Sequence, residues 1–147
     1  MKISAKGRYA LASMIYIAQT VPPGENITLA TLSDTLDISK IYLEQVFSQL
    51  RRHGLVISVK GAQGGYQLAK TATQISAYDI LSATENTLFA AVDETVSKSA
   101  PGIEEAMQSM LFIPLNKAVI SGLQSITLQD IVDEIQRNSS EAYMYYV

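Results

Sequence analysis

The sequence of 147 residues has no cysteine, no tryptophan and a single histidine, His53. Without cysteine the chain cannot form a disulfide framework, a thiolate-held zinc site or a cysteine-ligated iron–sulfur cluster. One histidine excludes a histidine-rich metal site, and the serines have no second histidine with which to build a catalytic triad. We interpret His53 as a cation at a helix C-terminus or as a surface residue. The sequence therefore predicts no metal, no cofactor and no enzymatic activity.

The chain also lacks an uncharged stretch long enough to span a bilayer. Its N-terminus has the outline of a signal peptide, because basic residues precede an apolar run from Tyr9 to Ala18. No small-x-small cleavage site follows, however, and the apolar residues of the run recur at helical spacing. We therefore expect an amphipathic helix over about 4–20, in a cytoplasmic protein with no membrane role.

Charge is sparse, at 17% of the residues, and it is unevenly placed. Residues 1–70 carry eight Lys and Arg against four Asp and Glu, a net charge of +4. Residues 71–147 carry three against ten, a net charge of −7, so that the whole chain has −3. A basic front half indicates an anionic partner for that half. A solvated surface of uneven charge is the alternative.

Three of the eight glycines lie within five residues of the stretch VKGAQGGYQLAK. A loop that cradles nucleotide phosphates needs a strand before its glycines and a helix after them. Here the residues after the glycines are strand-like, and no G-K-[ST] motif is present. We therefore predict a hairpin of two strands, Leu55–Lys60 and Tyr66–Ala69, with the glycines at its tip. We expect three positions to have positive φ and to leave a nucleic-acid groove unobstructed: Gly61, Gly64 and Gly65.

Several helix starts share one local pattern, in which a capping Ser or Thr is flanked by apolar residues. The pattern occurs at Thr28, Ser76 and Thr127. Ser39 is a further cap, and Gly54 is placed to end the helix that Ser39 begins. The predicted helices are Thr28–Leu36, Ser39–His53, Ala77–Glu85, Ile103–Leu123 and Leu128–Gln136. A polar break follows at Asn138–Ser140. The order helix, helix, turn, helix, hairpin is that of a winged helix-turn-helix. The predicted fold is mainly α with a small β-hairpin: a winged helix-turn-helix domain at 1–85, a dimerisation region with a long helix at 86–137, and a tail at 138–147.

The predicted helix over 39–53 has two faces. Leu43, Val46, Phe47 and Leu50 form the apolar face that packs on the other helices. The remaining face is polar and concentrates near the N-terminal turns, where a recognition helix reads bases. An ordinary solvated face would explain this helix, taken alone, equally well.

The N-terminus of the first helix favours DNA. Lys2, Lys6 and Arg8 cluster there, although cations at that end oppose the helix dipole. An anion such as phosphate would neutralise them, and Gly7 would let the backbone approach it closely. Lys60 stands at the shoulder of the hairpin. Together these features predict that the front half binds duplex DNA.

Three blocks of the sequence, KISAKGRYAL, YLEQVFSQLRRHGLV and VKGAQGGYQLA, resemble the Rrf2 family of bacterial winged-helix regulators. The chain is most similar to the cysteine-metabolism repressors of that family, which lack cluster cysteines, and is also similar to its iron–sulfur cluster regulators. The resemblance implies a homodimeric repressor of sulfur or cysteine metabolism, with the wings and recognition helices on a pseudo-palindromic operator. The DNA-contacting residues that it implies, with the basic residues above, are Lys2, Lys6, Arg8, Ser39, Lys40, Tyr42, Glu44, Gln45, Arg51, Lys60, Gly61, Gly64 and Gly65.

The sequence departs from the cluster-binding members at two points. The segment ENTLFAAVDETVSKSAPG, where those members hold their cluster, has no cysteine, so we expect no cluster. Pro114 interrupts the long helix, which it should kink or split. The apolar positions of this helix still fit an oligomer seam, with a long core helix of a monomer as the alternative: Ile103, Met107, Met110, Leu111, Leu115, Ala118, Val119 and Leu123.

The C-terminus, SEAYMYYV, is similar to the end of the cysteine-metabolism repressors, which act in complex with cysteine synthase. The resemblance implies that Met144, Tyr145, Tyr146 and Val147 dock in that enzyme's active site. Packing of the tyrosines on the protein's own dimer is the alternative. For the whole chain, two other functions stay open: a winged-helix protein-interaction module without DNA binding, and a regulator that senses a small ligand in its C-terminal half.

Overall fold

The computed structural model describes residues 1–146, without the side chains of Tyr143, Tyr145 and Tyr146. Its elements confirm the predicted class, mainly α with one β-hairpin. In chain order they are α1 (Ala5–Thr20), α2 (Leu29–Leu36), α3 (Lys40–Arg52), β1 (Val56–Val59), β2 (Gly65–Leu68), a 3-10 turn (Ala72–Gln74), α4 (Ala77–Thr84), α5 (Pro101–Met107), a π-helical turn (Gln108–Phe112), α6 (Ile113–Gln124) and α7 (Leu128–Tyr146).

One core holds α1 to α4 and the hairpin together. Phe47 of α3 lies at its centre, fully buried, and its ring meets Tyr66 of β2 at a centroid distance of 4.9 Å. The predicted apolar face of α3 supplies the inner layer, and buried residues of α1, α2, α4, β1 and α7 pack around it. Residues with no exposed surface include Ala10, Met14, Leu32, Leu43, Val46, Leu50, Ile75 and Ile80.

The predicted helix caps are present at three of four positions. The Thr28 hydroxyl accepts the Thr31 N–H at 3.1 Å. Ser76 and Asp79 form a reciprocal capping box, with distances of 3.1 and 2.9 Å, and Thr127 forms the same arrangement with Asp130. Ser39 precedes α3 as expected, but its side chain makes no capping hydrogen bond, so that part of the prediction is wrong.

The hairpin has an antiparallel register in which Val56 faces Leu68 and Val59 faces Gly65. Ile27 joins it through an isolated β-bridge: the Ile27 N–H donates to the Tyr66 carbonyl at 2.9 Å, and the Tyr66 N–H donates to the Ile27 carbonyl at 2.7 Å. Gly65 has φ +153°, and a Cβ on it would lie 2.7 Å from the Ile27 carbonyl carbon. The hairpin therefore rests on the loop before α2, at a place where only glycine fits.

The glycines at the tip serve different purposes. Gly61 has φ +110° and open space around it. Gly64 does not have positive φ, so the prediction for it is wrong. A Cβ on Gly64 would instead collide with the Val59 carbonyl oxygen and lie 3.0 Å from the Gly61 carbonyl oxygen. Gly64 and Gly65 are therefore required by the fold itself, and Gly61 by the turn.

Pro114 interrupts the long helix, as predicted, and the interruption takes the form of a π-helical turn. The Ile113 N–H donates to the Gln108 carbonyl, five residues earlier, in place of the usual four. Pro114 has no N–H to give to the preceding turn, and its ring would clash with an α-helical carbonyl. The wider turn before it moves those carbonyls apart, so helical structure continues from Pro101 to Gln124.

After the long helix the chain returns to the winged domain. The Leu128 N–H donates to the Ile75 carbonyl at 2.9 Å, and the Ala77 N–H donates to the Ile126 carbonyl at 2.8 Å. Leu128 and Val132 are buried there. No helix within residues 1–146 is both long and apolar enough to cross a membrane.

The predicted break at Asn138–Ser140 is wrong, because α7 continues through it to Tyr146. Asn and Ser each cost a helix only about 0.5 kcal/mol relative to Ala. No Gly or Pro occurs between Leu128 and Tyr146 to end it.

Candidate nucleic-acid interface

The polar face of α3 is turned to solvent. Ser39, Lys40, Glu44 and Gln45 are exposed, because the opposite face of the helix is fixed in the core. Tyr42 is only half-buried, and its ring meets the ring of Tyr9 edge-on at 5.1 Å. The first two turns of α3 therefore present one hydroxyl, one ammonium, one carboxylate and one amide group, the group types that contact bases and phosphates.

Arg51 joins this helix to the hairpin. It lies in the last turn of α3, and its Nη1 donates to the Ser58 hydroxyl of β1 at 3.3 Å. Lys60 is exposed where β1 ends, and so is Gly61, whereas Gly64 and Gly65 are half-buried. The structure thus places the Arg51 guanidinium against β1, and the exposed Lys60 follows the end of the same strand.

A side chain of the loop before α2 supports the hairpin tip. The Asn26 side-chain amide donates to the Gln63 carbonyl at 3.3 Å. Asn26 precedes Ile27, which bridges to Tyr66 of β2, so the same loop holds both β2 and the tip of the hairpin. No sequence pattern signalled this support, because Asn26 and Gln63 are far apart in the chain.

The third basic cluster lies at the start of α1. Lys2 and Arg8 are exposed, and Lys6 is half-buried. The Arg8 guanidinium donates to the Ile3 carbonyl at 2.7 Å. Within residues 1–146 the salt bridge observed is that of Arg137 with Glu134, so no acidic side chain is paired with this cluster.

Gly7 does not have the role predicted for it. It is buried and faces α4, where a Cβ would collide with the Glu85 carboxylate and lie 3.1 Å from Leu81 Cδ2. The Glu85 Oε1 accepts both the N–H and the hydroxyl of Ser4, each at 2.8 Å. The glycine is therefore needed for contact within the protein, and the expected approach to phosphate is wrong.

Sequence reasoning missed one exposed apolar residue of α3. Ile41 is 71% exposed in the first turn of the helix, beside Lys40. Apolar side chains at this position can contact the methyl group of thymine in the major groove. The signal was available, because Ile41 does not fall on the core face defined by Leu43, Val46 and Leu50.

The segment between α4 and α5 is held by a buried carboxylate. Glu104 is 5% exposed, and its Oε2 accepts the N–H groups of Val96 at 2.8 Å and Thr95 at 2.9 Å. Its Oε1 accepts from Gln108 Nε2 at 3.1 Å. The Val96 N–H, the Gln108 amide and the Thr95 N–H together lower the pKa of Glu104 from its ordinary value.

The residues of this segment do not fit an iron–sulfur cluster or an iron ion. No cysteine is present in the chain, and the one histidine has its ring Nδ1 2.9 Å from the Gln49 carbonyl on α3. Among the described residues no three His, Cys, Asp or Glu side chains are grouped to hold a metal. Glu104 is already committed to backbone donors.

The long helix exposes an apolar stripe. Met110 is 74% exposed, Leu111 60% and Leu115 63%, and Ile103 is exposed on α5. No residue of the π turn or of α6 is buried, so the alternative of a core helix in a monomer is wrong. The other predicted seam residues are half-buried or exposed: Met107, Ala118, Val119 and Leu123.

The predicted partner tail continues α7. Met144 is 76% exposed on the last turns of this helix. The backbone of Tyr145 and Tyr146 is helical, and Val147 lies outside the described residues.

Comparisons with known proteins agree with this arrangement. The chain matches Rrf2, a family described as iron-dependent transcriptional regulators, over residues 3–134. It is 37% identical to the HTH-type transcriptional regulator CymR of Bacillus subtilis over 100% of both chains. It is 35% identical to the HTH-type transcriptional regulator IscR of Cronobacter sakazakii, over 97% of this chain and 91% of that protein.

A solved structure shares the fold. The structure of CymR, described as the global cysteine regulator of B. subtilis, matches with a TM-score of 0.73 and 35% identity, over 91% of this chain and 98% of that one. The helix-turn-helix geometry, the family match and these relatives lead to one conclusion. The chain belongs to the Rrf2 family and is a DNA-binding helix-turn-helix transcriptional regulator, not an enzyme.

Proposed function

We propose that this regulator is a homodimeric repressor that binds a pseudo-palindromic operator in the bacterial cytoplasm. The apolar stripe of the long helix is the observation that carries the proposal. Met110, Leu111 and Leu115 are each more than half exposed, and helices with such a stripe gain free energy by packing against a partner. A second copy of the chain covers the stripe and sets the spacing of two α3 helices on the duplex.

Each protomer contacts DNA with three parts. The exposed groups of α3 at Ser39, Lys40, Glu44 and Gln45 enter the major groove. Arg51, in the last turn of α3, joins them at the major groove. The wing, Lys60 with Gly61, Gly64 and Gly65, follows the adjacent minor groove. The α1 cluster of Lys2, Lys6 and Arg8 contacts phosphate, and Tyr42 offers its hydroxyl from the edge of the helix.

The pathway is proposed from the relatives. The regulator that is 37% identical over its whole length is described as the global cysteine regulator of its organism. We propose genes of sulfur and cysteine metabolism as targets of this chain. We also propose that Met144–Val147 docks in the active site of cysteine synthase. Since Val147 is one methylene shorter than isoleucine, we expect a loss of about 1 kcal/mol relative to a tail ending in isoleucine.

DNA contact is tested with Lys60→Ala and Arg51→Ala combined in one protein. Retention of fragments of the source genome should fall steeply, because two phosphate contacts per protomer are removed. The sequences of the retained fragments name the operator and the neighbouring genes. The matched control is Lys117→Ala, an exposed lysine of α6. Unchanged retention by the double variant contradicts the assignment of these two residues.

Dimerisation is tested with Leu111→Asp and Leu115→Asp in one protein, followed by sedimentation velocity. The variant should sediment as a monomer and lose cooperative operator binding, because charged residues on the stripe cannot be desolvated at a seam. Gln124→Asp, exposed at the end of α6, is the control. If the double variant still sediments as a dimer, the interface lies elsewhere.

The tail proposal is tested by calorimetry. Titration of the intact protein into cysteine synthase should give heat of binding, and deletion of Tyr145–Val147 should abolish it. Unchanged binding after the deletion, or no binding of the intact protein, rules out the proposal without affecting DNA binding.

A further inference from the structure

We propose that Glu85 is a positioning residue for DNA binding. Its carboxylate fixes the first turn of α1, so that Lys2 and Lys6 meet the phosphate backbone at the right place. The inference rests on the proposed phosphate contact of the α1 cluster. It adds that Glu85, the last residue of the winged domain in the sequence, supports this contact.

The contact is made by a single oxygen atom. Glu85 Oε1 accepts the Ser4 N–H and the Ser4 hydroxyl, each at 2.8 Å. The Ser4 hydroxyl in turn accepts the Gly7 N–H at 3.1 Å, as the N-cap of α1. One chain of hydrogen bonds thus runs from the backbone of α1 to Glu85. Because Ser4 lies between Lys2 and Lys6, fixing Ser4 fixes the backbone that carries both lysines.

Glu85 is itself held in place. It is the C-cap of α4, and its N–H donates to the Leu81 carbonyl at 2.8 Å. Leu81 and the neighbouring Ile80 are buried in the core. Gly7 leaves the space that the carboxylate occupies, since any Cβ there would collide with it. The positions of both partners are therefore determined by packing, which is what a positioning contact requires.

Because Glu85 is negatively charged, a positioning role for it can be distinguished from an electrostatic role. An acidic group close to lysines that contact phosphate should weaken DNA binding by repulsion. If its role were electrostatic, removing it would strengthen binding. If it positions α1, removing it weakens binding, because the lysines lose their fixed backbone. The two roles therefore predict opposite changes in DNA affinity when Glu85 is removed.

The position of Glu85 in the chain adds a further consequence. It is the last residue before the segment that leads to α5 and the dimer seam. A displacement of that segment would pull on Ser4 through one carboxylate. The contact therefore links the segment that leads to the proposed dimer helix with the DNA-contacting first turn of α1.

The experiment measures binding of the full-length chain to an operator fragment across a salt series. Glu85→Ala should lower affinity on the order of tenfold, and the slope of log K against log salt should fall by about 1 for each phosphate that the variant no longer neutralises. Glu85→Gln keeps an Oε1 that accepts the same two bonds, so it should stay within about threefold of the wild type. Glu25→Ala, an exposed acid beyond the other end of α1, is the control and should not weaken binding.

A double-mutant cycle separates this inference from the function on which it rests. Lys2→Ala with Lys6→Ala should weaken binding alone, and adding Glu85→Ala should then cost little more. If the lysine variant binds like the wild type, the phosphate contact of α1 fails. If the lysine variant is weak but Glu85→Ala binds as well as the wild type or better, the positioning role fails.

Two further variants complete the test. Glu85→Gln as weak as Glu85→Ala contradicts a role through hydrogen bonding. Should Glu85→Ala lose its helical circular dichroism, Ser4→Ala replaces it, because it removes the hydroxyl's bonds to Glu85 and to the Gly7 N–H and keeps the bond from the Ser4 N–H to Glu85. Ser4→Ala should then weaken binding less than the lysine variant does, and wild-type binding by Ser4→Ala overturns the inference.

Discussion

Replacing Gly65 by alanine should destabilise the whole chain, although the residue is at the edge of a two-stranded hairpin. The new Cβ would lie 2.7 Å from the Ile27 carbonyl carbon and 3.2 Å from the Thr28 nitrogen. The two hydrogen bonds between Ile27 and Tyr66, at 2.9 and 2.7 Å, must then lengthen or break. Each contributes about 1 kcal/mol net, and φ of +153° costs an L-residue a further 1 kcal/mol or so.

The sum is about 3 kcal/mol, which corresponds to a fall in Tm of roughly 6–12 °C for a chain of this size. Thermal unfolding followed by circular dichroism measures it, at one fixed protein concentration so that the proposed self-association contributes equally to every variant. Gly102→Ala is the matched control, since that glycine of α5 has open space and no positive φ. Gly61→Ala, with φ +110° and no clash, should lie between them.

A Gly65→Ala protein that melts within about 2 °C of the wild type refutes the reasoning. It would mean that the loop before α2 can move away from the hairpin at no cost. Operator binding provides a second readout, because a wing detached from Ile27 should also lose its orientation on DNA.

Three further outcomes are expected. Glu104→Gln should destabilise the protein at pH 7; because the folded-state pKa of Glu104 is lowered, its contribution is present above the ordinary pKa and is lost as the pH falls through the folded value, so the gap in urea stability should close as the pH falls below the ordinary value of 4.5. Thr127→Ala should cost about 1 kcal/mol in urea unfolding, because its hydroxyl accepts the Asp130 N–H at 3.1 Å; an unchanged midpoint would show that the cap contributes nothing. Lys60→Ala alone should lower the salt slope of operator binding by about 1 per protomer without changing Tm, since its side chain is exposed; an unaltered slope would remove Lys60 from the interface.

The parts of the fold that depend on neighbouring residues were predictable from the sequence. Thr28, Ser76 and Thr127 cap their helices as expected, because a cap needs only an oxygen and an N–H three residues later. The core face of α3 follows in the same way from its 3.6-residue spacing. The order of these elements was then sufficient to indicate a winged helix-turn-helix.

Features that depend on distant partners were not predictable. Gly7 and Gly65 both suggested contact with DNA, but the groups that exclude a side chain there are Glu85 and Ile27, which belong to other elements. Nothing in the local sequence distinguishes a glycine needed by a neighbouring backbone from one needed by a ligand. The prediction at Asn138 and Ser140 was wrong for another reason. Weak helix formers on an exposed helix cost less free energy than ending the helix there.

The return of the chain at Leu128 has a consequence for how the segment that contains the long helix is attached to the winged domain. Residues 86–127 leave the winged domain after Glu85 and rejoin it beside Ile75, where Ser76 and Thr127 pair as a short bridge. This segment is thus attached to the winged domain at both of its ends, and α7 packs into the core of that domain. A force applied to the long helix must therefore reach the winged domain through two neighbouring attachment points, so a tilt of the long helix tilts the whole winged domain.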